Sequence, residues 1–222
     1  MAPAQLTTQV VRISADPPTT PSPLRALAGS ALDKAAQAFA VEPVDVVGYA
    51  STSTAYALGF DAEAAMVSRL SELIGVPVAA TCASAVRALQ VLDVERVALV
   101  EPPWFTAELN ELGVAYFQSR GFDVVSSGSA ELSQDPRRIE PADVVEWTSR
   151  RMPDEAQGVF IGGNGFRAAG AIDALEHAIG RPVLTSNQVL LWSLLACAEA
   201  TFEVTGYGRL FAQAPPCLGS LT

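Results

Sequence analysis

The chain has 222 residues, half of them hydrophobic and 17% charged, enough for one large domain or two small ones and too apolar to stay disordered. Its net charge of −10 argues against a nucleic-acid partner, because neutralising phosphates takes clustered Lys and Arg. No stretch reaches membrane-span length, and the opening MAPAQLTTQVV has no basic region followed by an apolar one, so a cytoplasmic protein with no membrane partner is expected.

In chain order, residues 9–14 (QVVRIS) read as a strand and 15–22 as a Pro/Thr-rich loop. Leu24, Leu27, Ala31 and Ala35 lie near helical spacing, so a helix is predicted over 23–39. Val44, Val46 and Val47 form a short apolar run, the pattern of a strand buried on both faces. The run opens into Ala50-Ser51-Thr52-Ser53-Thr54, ahead of a helix over 61–73. Residues 76–80 form a strand that leads through Thr81-Cys82 into a helix to Leu92. RVALV, 96–100, is a buried strand closed by Glu101-Pro102-Pro103-Trp104-Phe105. A helix over 106–120 stops at Gly121, and a strand follows at 122–126. After a loop at 128–140, a helix over 141–152 carries Pro in its first turn. The strand Gly158–Ile161 runs into Gly162-Gly163-Asn164-Gly165 and a helix to Ile179. Residues 182–185 are the last core strand, before an apolar helix through Ala200 and a Gly/Pro-rich tail. Strands and helices alternating at these lengths mean an α/β fold with a mainly parallel sheet.

In such sheets ligands sit at the carboxyl ends of the strands. A strand that opens into small hydroxyl residues at a helix start leaves backbone N–H groups free to attract an anion. Residues 51–54 therefore read as half of a small-anion site. The other half is suggested by a repeat: Leu73-Ile74-Gly75-Val76-Pro77-Val78 returns as Ala178-Ile179-Gly180-Arg181-Pro182-Val183. In this register Thr81 matches Ser186 and Cys82 matches Asn187, and two related halves would place the turn Ile161–Phe166 face to face with the hydroxyl turn, with a ligand between them.

These strands and turns, the paired GxPV entries and the tail Gly206-Tyr207-Gly208-Arg209-Leu210-Phe211 resemble the aspartate/glutamate racemase superfamily. The resemblance spans roughly residues 8–211 and is strongest to the branch of arylmalonate decarboxylase and maleate cis-trans isomerase. It implies a flavodoxin-like α/β fold, with parallel sheets in two pseudo-symmetric three-layer halves. Residues 1–95 with 186–222 would form one half and 96–185 the other, in one compact unit with the site between them. It also implies a cofactor-independent lyase or isomerase, acting on a small carboxylic acid through an enediolate, with room for a homo-oligomer. The family uses one or two cysteines, one per half; the decarboxylase keeps only the second, which protonates the enediolate. Those positions fall on Ser51 and on Gly163, and neither is cysteine here. The family's carboxylate cradle maps onto Thr52 and Ser53. A family tyrosine falls near Trp104 or Phe105, so its hydroxyl is missing. Residues 9–14 match the family's second strand better than its first.

Each candidate also has a plainer reading. Ser51, Thr52 and Ser53 either bind a carboxylate or simply cap a helix. Gly162, Gly163, Asn164 and Gly165 either present amides to an anion or make a tight connection; the string lacks the GxGxxG spacing of a dinucleotide site. Ser51 and Cys82 are the candidate proton-transfer groups, although a serine needs a neighbouring base and a buried cysteine is more often structural. Trp104 and Phe105 either wall an apolar pocket or pack. Cys197, Cys217 and the single histidine, His177, carry no expected role, and no metal site is expected. The alternative to an enzyme is a non-catalytic carboxylate-binding or regulatory homologue.

Overall fold

A computed structural model describes residues 1, 4–16, 19–41 and 43–213. Among the described residues all strand pairings are parallel, in two sheets. The smaller pairs β1 (Val47–Tyr49) with β2 (Val78–Ala80). The larger runs β4 (Asp123–Ser129), β3 (Arg96–Glu101), β5 (Gly158–Ile161), β6 (Val183–Thr185). The α/β class with parallel sheets is thus as predicted.

Alternation along the strands decides what each face packs against. Tyr49, Val78 and Ala80 join a core with Met66 and Leu70 of α4 (Phe60–Ile74) and Leu32 of α2 (Ser30–Ala36). The opposite face meets α9 (Ser186–Cys197): a Cβ on Gly48 would lie 2.9 Å from Leu194. In the larger sheet Val97, Leu99, Phe160 and Leu184 join α3 (Thr52–Leu58), α5 (Thr81–Val91), α6 (Ala107–Gln118) and α9 in the main core. Ala98, Val100, Val159, Ile161 and Val183 turn to the other side, towards α7 (Pro141–Arg151) and α8 (Ile172–Ile179). The two GxPV copies have matching geometry. Gly75 and Gly180, at φ +80° and +68°, close α4 and α8 ahead of β2 and β6.

Five expectations need correction. Residues 9–14 form no strand; Val10 and Val11 are exposed, and only Ile13 packs on a core cluster. The helix expected over 23–39 is broken at Gly29, into α1 (Pro21–Leu27), α2 and a 3-10 turn at Gln37–Ala40. The strand expected at 44–47 starts at Val47 and is only partly buried, because a two-stranded sheet shields it less than the larger sheet would. The hydroxyl run is itself a helix, α3, separated from α4 by Gly59 at φ +80°. Likewise, the helix expected directly after Gly165 begins only at Ile172, behind a 3-10 turn at Ala169–Ala171.

Candidate functional site

Thr52 opens α3 beyond β1, and Gly163 lies two residues beyond β5. The two turns meet as the repeat suggested. The Gly163 N–H donates to Thr52 Oγ1 at 3.1 Å, and the Thr52 hydroxyl lies 2.9 Å from Ser186 Oγ at the start of α9. The crevice between them is not open, however. Asn164 fills it with its carboxamide, whose Oδ1 lies 3.2 Å from both Thr52 N and Thr52 Oγ1 and 3.3 Å from Thr81 Oγ1. Its Nδ2 donates to Thr81 Oγ1 at 3.2 Å and to Asn187 Oδ1 at 3.0 Å, while Asn187 Nδ2 donates back to the Asn164 carbonyl at 3.0 Å. A backbone N–H and two hydroxyls converging on one oxygen form an oxyanion-type seat, and a primary carboxamide has the outline of a carboxylate.

Of the residues expected to bind substrate, Thr52, Gly163 and Asn164 stand in this seat. Ser53 is half-buried, its hydroxyl 3.4 Å from that of Ser51, and it makes no bond to Asn164. Gly165 is exposed. Gly162 lies against the Glu101 carboxyl, as described below. Trp104 and Phe105 part company: Trp104 stacks edge-on against Phe166 (6.0 Å) and Phe105 against Tyr56 (6.4 Å), in two different core clusters. They are packing residues in this conformation rather than two walls of one pocket.

Neither proposed proton-transfer group is set up for that role. Ser51 is the N-cap of α3; it accepts from Thr54 N at 3.2 Å and donates to Thr54 Oγ1 at 2.8 Å, and no base among the described residues bonds to it. Ser51→Ala should therefore cost about 1 kcal/mol in urea denaturation, with carboxylate binding intact. Cys82 is fully buried, its thiol 3.9 Å from the Thr52 carbonyl. Burial, then the carboxyls of Glu63 and Glu101, push its pKa well above the usual thiol value, so it stays protonated. His177 is exposed, and Cys217 lies outside the described residues. Among the described residues no cluster of His, Cys, Asp or Glu could hold a metal ion, and no helix is long and apolar enough to cross a membrane.

Sequence reasoning missed the residues below the seat. Glu101 ends β3, is completely buried, and accepts the Tyr56 hydroxyl at 2.7 Å on Oε1. Among the described residues its Oε2 has no hydrogen-bond partner, and a Cβ on Gly162 would overlap it. Burial pushes Glu101 up to about 8, although the Tyr56 bond pulls the other way. A second buried carboxyl, Glu63 of α4, accepts the Tyr116 hydroxyl and is pushed up to about 7, again by burial. A lone Glu ending the buried run RVALV was the available signal for Glu101. For Thr81, Ser186 and Asn187 it was the repeat register itself.

The arylmalonate decarboxylase family model matches residues 29–211. An arylmalonate decarboxylase of Bordetella bronchiseptica is 26% identical over 174 residues, 75% of this chain and 70% of that protein. The fold is similar to that of an unliganded arylmalonate decarboxylase (TM-score 0.78, 23% identity, 84% of this chain and 82% of that one). It is also similar to a maleate isomerase of Pseudomonas putida S16 with maleate (TM-score 0.76, 22% identity, 88% and 80%). A Nocardia farcinica maleate cis-trans isomerase bound to TRIS gives a TM-score of 0.76 at 23% identity, over 86% and 80%. With a family match that covers most of its length, this chain belongs to the arylmalonate decarboxylase family.

Proposed function

We propose that this protein is a cofactor-independent lyase or isomerase acting on a small carboxylic acid. The substrate would be held where residues 1–95 with 186–222 meet residues 96–185. The observation that carries the reading is the Asn164 carboxamide in a ring of main-chain and hydroxyl donors. When Asn164 swings aside, a substrate carboxylate takes the place of its Oδ1. It accepts from Thr52 N–H and from the Thr52 and Thr81 hydroxyls, with Ser186 and the Gly163 N–H in support. These donors stabilise the charge that builds up as the carboxylate becomes an enediolate. Relatives named for decarboxylation of arylmalonate and isomerisation of maleate support the same substrate class.

A second reading, a carboxylate-binding homologue without catalysis, draws on the filled seat, on Ser51 and Gly163 standing where the resemblance puts the family's cysteines, and on the enclosed Cys82. One experiment separates the two. Phenylmalonate, methylmalonate and maleate are each incubated with the protein in deuterated water and followed by NMR and thermal shift. Product formation, or deuterium at the α-carbon, is expected from the enzyme. Stabilisation without turnover would favour the binding homologue, and neither response would exclude both. Thr52→Val removes one hydroxyl from the seat and should weaken carboxylate binding about tenfold or more.

A further inference from the structure

We propose that Glu101 is the proton donor of this chain, delivering from Oε2, past the bare Cα of Gly162, to a substrate carbon held beside Gly163. The inference rests on the lyase reading above and deepens it. In the sheet, Val100 is in register with Ile161, and the Gly162 N–H donates to the Val100 carbonyl at 2.8 Å, so Glu101 lies alongside the Gly162-Gly163 turn. Its carboxyl is fully buried with one oxygen held by Tyr56, while the other, unpartnered, is aimed at a residue that has no side chain. Tyr56 follows Thr52 by one turn of α3, which sets Glu101 beneath the carboxylate seat. An unpaired buried polar oxygen is costly and calls for a role.

The carboxyl faces Tyr56 from α3 and Cys82 from α5, with Glu63 and Tyr116 beyond them. Burial keeps the acid protonated at neutral pH, as a general acid must be. Tyr56 also borders a cavity of about 560 Å3 with Gly59, Phe60, Tyr116 and Arg120, and in the proposed step protons return from this side. In the step, the bond from the α-carbon to one carboxylate breaks and CO2 leaves, its electron pair remaining as the enediolate. The Oε2 proton moves to the α-carbon and Glu101 is left as a carboxylate. Water restores its proton through the Tyr56 hydroxyl, so each CO2 released consumes one solvent proton.

The test measures kcat for phenylmalonate decarboxylation from pH 5.5 to 10, with binding followed by thermal shift and folding by circular dichroism. Wild-type kcat is expected to fall above about pH 8, as the acid ionises. Glu101→Gln should lose about 100-fold or more in kcat, bind within about threefold and lose the alkaline limb. Tyr56→Phe should move that limb to higher pH, because the tyrosine bond holds the Glu101 pKa down. If Glu101→Gln does not fold, Glu101→Asp, with its acid drawn back by one methylene, should lower kcat about tenfold or more while keeping the limb. A folded Glu101→Gln with near-wild-type kcat, or a slow one whose alkaline limb is unmoved, overturns the proposal. So does an Asp variant with unchanged kcat. A wild-type protein that binds phenylmalonate and never turns it over overturns the lyase reading, and this proposal with it.

Discussion

Raising the pH from 5 to 9 is expected to cost this protein several kcal/mol of folding stability, through two carboxyls that share one core. Glu63 and Glu101 are both buried, and their folded pKa values, about 7 and about 8, lie above the ordinary value of 4.5. A carboxyl with a raised folded pKa is held in its neutral form by the native state, while the unfolded chain ionises it earlier. Below about pH 4.5 both states carry the proton and no penalty exists. Between there and about pH 7 the native state holds about two more protons than the unfolded one. Stability then falls by roughly 2.7 kcal/mol per pH unit at most. The loss is complete above about pH 8. Urea midpoints at pH 5, 7 and 9 measure it, and Glu63→Gln or Glu101→Gln should each remove part of the slope. A midpoint that is flat or rising over this range would show that the carboxyls ionise as freely in the folded state as in the unfolded one.

Gly162→Ala should cost about 3 kcal/mol, unusually much for a single methyl group. The added Cβ would overlap Glu101 Oε2 and come within 2.9 Å of its Cδ. The carboxyl has no solvent to retreat into, so relief means giving up the bond from Tyr56. Gly165→Ala is the control: that residue is exposed, and its new Cβ would meet only Trp104, at 3.8 Å. In a Glu101→Ala background the cost of Gly162→Ala should drop below about 1 kcal/mol, because the clashing atoms are gone. Urea denaturation of the four proteins of this cycle decides it. Additive losses would mean that Gly162 is required for its backbone alone.

The larger sheet was easy to read in advance. RVALV and Gly158–Ile161 are apolar runs of strand length bounded by clear stops, and both became buried parallel strands. The GxPV repeat was equally informative, since Gly75 and Gly180 close equivalent helices and put Thr81 and Ser186 at equivalent strand ends. Reading the proton-transfer chemistry was harder. Ser51 and Cys82 have the types and positions of proton-transfer groups, yet one is a helix cap and the other a sealed thiol. QVVRIS has the composition of a strand, yet Val10 and Val11 stay exposed and no strand forms there, because composition alone does not bury a segment.

Pattern within about ten residues was sufficient for the α/β class, the order of the elements and the two turns that carry the seat, because helix and strand periodicity and glycine stops are local properties. Packing alone decided that Asn164 occupies that seat and that Glu101 is sealed beneath it with one oxygen unpaired. Both depend on partners far away in the chain, Thr52 for Asn164 and Tyr56 for Glu101, and on the loss of solvent around an ionisable group. Neither distance nor desolvation exists until the sheets and helices have come together.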